Sequence, residues 1–117
     1  MDKFLSAYLC KDAKMREHLV TSIYKHLLAN GIHIERKEVY LIEIHNRIFR
    51  FICDRNFETD IRGFSVTDFH SYRILSKEDF ELIHFMSISE NSLSINNVNY
   101  RQRIVDDVPI FDVEMPS

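Results

Sequence analysis

Residues 39–53, VYLIEIHNRIFRFIC, narrow the folds open to this chain more than any other stretch. Two runs dense in β-branched and aromatic residues, VYLIEI and IFRFIC, flank a polar centre at His45-Asn46-Arg47. Such residues suit a pleated, half-buried surface, so the stretch is expected to be a β-hairpin. Leu41, Ile44, Ile48 and Ile52 also follow helical spacing, but the β-branched and aromatic density decides for strands.

Side-chain pairing selects an expected register. A turn at Asn46-Arg47 sets Ile44 against Phe49, Glu43 against Arg50, Ile42 against Phe51 and Tyr40 against Cys53. One face is then apolar, and the other carries an opposite-charge pair worth roughly a few tenths of a kcal/mol. A turn at His45-Asn46 sets Glu43 against Ile48 and Leu41 against Arg50, and is disfavoured on that ground. Leu41 and Ile52 pair on the outer face, which asks for a covering layer or a partner.

At 117 residues the chain fits one domain, large enough to bury a core without metal or disulfide staples. Its two cysteines, Cys10 and Cys53, form no framework spacing and are expected reduced in a cytoplasmic protein. Charges recur throughout the first fourteen residues, so neither a secretory signal nor a transmembrane helix is expected there. With only two glycines, Gly31 and Gly63, the chain lacks material for a phosphate-cradling glycine loop. A net charge of −3 argues against a nucleic-acid binder that works through a broad basic field.

Residues 1–9 read as a short helix or frayed lead-in, with fraying extending as far as residue 11. Asp12 is an expected N-cap for an amphipathic helix ending near Asn30, with Gly31 as terminator. Met15, Leu19, Ile23 and Leu27 form its apolar stripe, widened by Val20, Tyr24 and Leu28. Residues 32–35 are a linker or edge strand, and 36–38 lead into the hairpin. After Cys53 periodicity fades, with turn signals at 54–56 and 62–63 and short strands expected at 64–66 or 72–75. Ser76 reads as the cap of a second helix reaching about Met86, with Asp79 at the capping-box position. Residues 92–95 and 98–105 form a second hairpin candidate around Asn96-Asn97, and Pro109 marks residues 110–115 as an edge strand or tail. The expected fold is a single α+β domain spanning residues 1–117, with amphipathic helices on one face of a mainly antiparallel sheet.

Chemical motifs are sparse. The six histidines include no pair at metal-ligand spacing: His18 and His26 share a helix but sit eight apart, roughly 80° around it. No serine elbow or cysteine-protease signature is present, and Cys10 has no base identifiable from sequence. A histidine-dependent hydrolase or RNase, with His45 or His70 as acid and base and Arg47 or Arg73 on phosphate, is chemically conceivable but unsupported by spacing. No catalytic, cofactor or metal residues are assigned.

Binding has more support. Phe69, His70, Tyr72 and Arg73 fall where periodicity is lost and gather the residue types enriched at interfaces. Residues 104–117 hold Asp106, Asp107, Asp112 and Glu114 with no Lys or Arg, and Phe111 belongs to an apolar patch among them. An acidic, partly apolar edge suits a partner with a basic surface, and equally discourages edge-to-edge aggregation. The expectation is a non-enzymatic protein-binding module that modulates its partner, in the manner of an inhibitor, immunity or anti-activity factor. A secretion chaperone or adaptor, a ligand-sensing regulatory domain and a small hydrolase are the alternatives. Neither direct nucleic-acid binding nor membrane association is expected, no cofactor is called for, and homodimerisation is compatible with the reading.

Overall fold

The segment Phe4–Cys10 (β1) is the centre of the sheet. A computed structural model describes residues 3–85, 99–105 and 107–114 of the chain. Seven apolar or small residues, FLSAYLC, lie between Lys3 and Lys11, and all but Phe4 are buried. Strands covered on both faces read as continuous apolar runs, which is why no alternation marks this one. The expected helix or frayed lead-in is therefore corrected to a core strand. Leu5, Ala7 and Leu9 join one buried cluster, whereas Tyr8 and Cys10 join another, so the sheet has a core on each face.

Helix α1, Ala13–Ala29, forms as its sequence predicts. The Asp12 side chain accepts the Met15 amide at 2.9 Å. At the other end Ile32 N–H reaches the Leu27 carbonyl and Gly31 N–H the Leu28 carbonyl, each at 3.0 Å, around Gly31 at φ 71°. That is a Schellman closure, and only glycine takes the left-handed position without cost. Leu19, Val20 and Leu27 pack on the Tyr8 and Cys10 face together with Ile42, Ile44, Phe51 and Ile110. Leu28, expected in the stripe, is half exposed.

After α1 the chain builds Arg36–Glu38 (β2), Leu41–Glu43 (β3) and Arg47–Cys53 (β4) as an antiparallel run, and β4 then lies parallel to β1. The expected hairpin is present, but two details differ. Val39 and Tyr40 form the exposed turn between β2 and β3, and the second turn is His45-Asn46, closed by Ile44 N–H to the Arg47 carbonyl at 2.9 Å. Glu43 consequently faces Ile48, and Leu41 faces Arg50. The pairing that charge complementarity disfavoured is the one adopted, because both charges find partners elsewhere. Lys3 Nζ sits 2.7 Å from Glu43, and the Arg50 guanidinium lies over the Phe64 and Tyr40 rings. Moving the turn by one residue shifts cross-strand partners by two, so Ile42, Ile44, Phe49 and Phe51 keep the same face in either register.

Beyond Cys53, residues 54–63 coil into short helical turns around Phe57–Asp60 (α2), with Phe57 and Ile61 buried. Ser65–Val66 (β5) pairs in parallel with His84–Phe85 (β7) as a separate two-stranded sheet. Asp68–Ser71 (β6), in the stretch where sequence periodicity is lost, lies parallel to β1 on the side away from β4. Ser76 caps α3, Lys77–Glu81, accepting the Asp79 amide at 3.1 Å. The helix stops well short of Met86, which lies outside the described residues, because 84–85 are taken by strand pairing and Phe85 is buried. Phe57, Ile61, Phe80 and Phe85 cover the Leu5, Leu9, Ile52 and Phe69 face, opposite α1. The helices are thus divided between the two faces, and the outer face of the first hairpin is covered from within the chain.

Asn99–Val105 (β8) and Val108–Glu114 (β9) form the last hairpin, turning through Asp107 at φ 66°. Of the hairpin expected from residues 92–95 and 98–105, the second strand is β8, which pairs with β9, and residues 92–98 lie outside the described residues. Strand order is β2-β3-β4-β1-β6-β9-β8, so β9, expected at an edge, lies between β6 and β8. Pro109 is tolerated there because β6 pairs with β9 only at Phe111 and Asp112, leaving the proline where no neighbour needs its missing donor. The α+β class with a mainly antiparallel sheet holds, and its two parallel pairings both belong to β1.

Candidate functional site

Alternation along five adjacent strands sets a row of polar side chains on the α1 side of the sheet. Ser6 stands opposite Asp68, Tyr8 opposite His70, and His70 opposite Asp112, so these groups share one face. Helix α1 packs mainly over β4, β1 and β3, and the row lies largely beyond it.

The row is a continuous hydrogen-bonded chain. Arg47 donates to Ser6 Oγ and, at 3.0 Å, to Asp68 Oδ1; Ser6 donates to the same oxygen at 2.8 Å. His70 Nε2 contacts Asp68 Oδ2, and its Nδ1 lies 2.5 Å from Asp112 Oδ1. Arg103 Nε donates to Asp112 Oδ2 at 2.7 Å, and its Nη2 is 3.5 Å from the Tyr8 hydroxyl. The His70 ring stacks on Tyr8 at 4.4 Å, and Tyr8 on Phe51 at 5.3 Å. The His70 side chain is 13% exposed, while Arg47 and Arg103 at the two ends reach 32% and 39%.

Burial pushes both carboxylates toward protonation, yet their partners win. For Asp68, the His70 contacts, the Ser6 hydroxyl and the Arg47 charge hold the carboxyl below its ordinary range. For Asp112, Arg103 and His70 do the same. Burial raises the Tyr8 phenol, opposed in part by Arg103. Both acids are therefore ionised at neutral pH and act as acceptors only.

A groove of about 590 Å³ adjoins the row, between Ser22, Ile23 and His26 of α1 and Arg103, Ile104 and Val105 of β8, with Tyr8 and Phe49 beneath. A larger open groove, about 760 Å³, lies around Lys11, Met15, His18, Tyr72 and Pro109, and no member of the row lines it. Among the described residues no group of three His, Cys, Asp or Glu side chains is arranged to hold a metal ion.

Of the residues expected to bind a partner, only His70 and Asp112 enter this row. Phe69 is fully buried on the opposite face, edge-on to Phe57 at 6.1 Å, and cannot meet a partner. Tyr72 donates to Asp54, which Arg73 grips through two nitrogens at 3.0 Å each, and Arg73 reaches Asp79 at 2.8 Å. These bonds tie the end of β6 to the chain leaving β4 and to α3, so Tyr72 and Arg73 serve the fold. Phe111 is half-buried beside Tyr100, Asp107 is exposed at the hairpin turn, and Asp106 lies outside the described residues.

Nothing in the sequence alone singles out Ser6, Tyr8, Asp68 or Arg103, and Arg47 enters only the hairpin turn and the hydrolase alternative. The signal for them is polar alternation, Asp68-x-His70 and Arg101-x-Arg103, which becomes readable once those segments are known to be strands. No family model matches the chain, and no curated protein or solved structure is significantly similar to it.

Proposed function

We propose that this chain is a protein-binding module that modulates the protein it binds, and that the row from Arg47 to Arg103 is its contact surface. The observation carrying this reading is a chain of charged side chains, Arg47, Asp68, Asp112 and Arg103, joined through His70 across a width of five strands on the part of a sheet face that α1 leaves open. Arginine and tyrosine dominate interface hot spots, and side chains already locked by hydrogen bonds lose little entropy on association. Phe4, 48% exposed beneath the Arg47 guanidinium, adds apolar area at one end, and the groove beside Arg103 adds it at the other. An inhibitor or immunity-type role fits a preformed surface of this kind. The net charge of −3 and the exposed Asp107 favour a partner with basic character around the contact. Two unpaired, buried thiols fit a reducing, cytoplasmic setting. Among the described residues no helix is long and apolar enough to cross a membrane.

One observation favours a second reading, a histidine-dependent hydrolase: His70 and Arg47 meet at Asp68. A general base needs one ring nitrogen free for substrate, and here each faces a carboxylate, so catalysis would first require His70 to leave one of them.

Photo-crosslinking groups at Phe4 and Ile104, with one at Val39 on the far hairpin as control, test the binding reading. Both positions, at the two ends of the row, are expected to capture the same protein, Arg47→Ala and Arg103→Ala to weaken that capture at least tenfold, and the purified partner to change activity on binding. Equal labelling from Val39, or capture indifferent to both arginine variants, overturns it.

A further inference from the structure

His70 has a carboxylate at each ring nitrogen, Asp68 on its own strand and Asp112 on β9. A neutral imidazole has one N–H and one lone pair, so it can donate to only one of them and would set its lone pair against the other. Both contacts hold together only when both nitrogens carry hydrogen. The place matters as much as the chemistry. Hairpin β8–β9 is zipped by seven registered pairs, whereas β9 meets β6 through two, His70 with Asp112 and Ser71 with Phe111.

We infer that His70 is a proton-operated clamp on the seam between β6 and β9. When the ring loses a proton it keeps the N–H that faces Asp68 on its own strand and turns its lone pair to Asp112. The network then parts at that seam, and each half remains charge-paired without the lost bond. Arg47, Ser6 and Asp68 stay together on the β4–β1–β6 side, and Asp112 stays with Arg103 on the hairpin. The other groups around the ring do not replace the clamp. Tyr8 from β1 stacks on it, Arg101 of β8 stands opposite Asp112, and Lys25 and His26 of α1 lie across the groove. Arg101 and Lys25 are cationic and offer the ring no acceptor. Ile110 and Val113 remain in the two cores, so the seam opens locally and the hairpin stays attached. The contact row is continuous only while the clamp is closed, a consequence that rests on the binding reading above.

The test follows His70 ring resonances by NMR through a pH series while amide exchange, corrected for intrinsic pH dependence, is measured at Phe111, whose N–H faces β6. Leu9 in the central strand serves as the internal standard. Protection at the seam is expected to fall about tenfold as the ring deprotonates, the size of one lost charge-assisted hydrogen bond, with Leu9 unchanged. Asp112→Asn supplies a side chain that can donate to the neutral ring, so the pH step should vanish while protection persists. Seam exchange that ignores the ring titration, or a step that survives in Asp112→Asn, overturns the clamp. If the exchange step is present while the crosslinking experiment fails, the binding reading falls and the clamp stands.

Discussion

Cys10 stands directly opposite Cys53 at the carboxyl ends of two parallel strands, with both side chains buried. Burial raises the Cys10 thiol to about 12, with the neighbouring Cys53 adding to the effect. Thiolate is the reactive form, so these cysteines should resist alkylation in the native protein. Iodoacetamide labelling at pH 8 is expected to be negligible over the time that denatured chain reacts fully, rising in denaturant in step with unfolding. Rapid native labelling of Cys10 would contradict this placement.

Phe69 separates core from surface. It is fully buried against Phe57, so Phe69→Ala should cost roughly 3–5 kcal/mol. Urea melts of the two proteins measure the difference directly. A loss below about 1 kcal/mol would return Phe69 to the candidate interface residues.

Arg73 and Arg103 should part company. Arg73 links Asp54 and Asp79, so Arg73→Ala is expected to lower the melting temperature by several degrees and to affect capture only through folding. Arg103→Ala is expected to reduce capture with the smaller effect on melting. Calorimetry and crosslinking on the same preparations decide between these outcomes.

Acid sensitivity follows from Asp68 and Asp112. Both carboxyls are held below the ordinary 3.8 in the folded chain. Their stabilising contribution is therefore complete above the unfolded value and is lost as pH falls through the lowered folded values. Asp112→Asn should flatten the decline in stability at the acid end of a pH series of urea melts. An unchanged acid slope would show that its carboxylate is not stabilised in the native state.

Gly31 can be tested independently of any function. An added Cβ there meets nothing within 4 Å, so the only cost of Gly31→Ala is the left-handed backbone at φ +71°. That cost is about 1–2 kcal/mol, measurable by thermal or urea melts.

What the sequence determined by itself was local. Asp12, Gly31 and Ser76 mark helix ends because a cap or a positive φ is settled within a few residues. The apolar face of the hairpin was legible for the same reason, since its alternation holds in either register. Tertiary structure decided whatever depends on distant neighbours. Lys3 and Phe64 settle the hairpin pairing by engaging Glu43 and Arg50 from outside it. FLSAYLC becomes the central strand only because β4 and β6 flank it and apolar clusters cover both faces. The row at His70 draws on strands up to 97 residues apart in sequence, from Ser6 to Arg103. Alternation within one strand, as in Asp68-x-His70, does not say which strands lie beside it, and the sheet alone brings β1, β4, β6, β8 and β9 together.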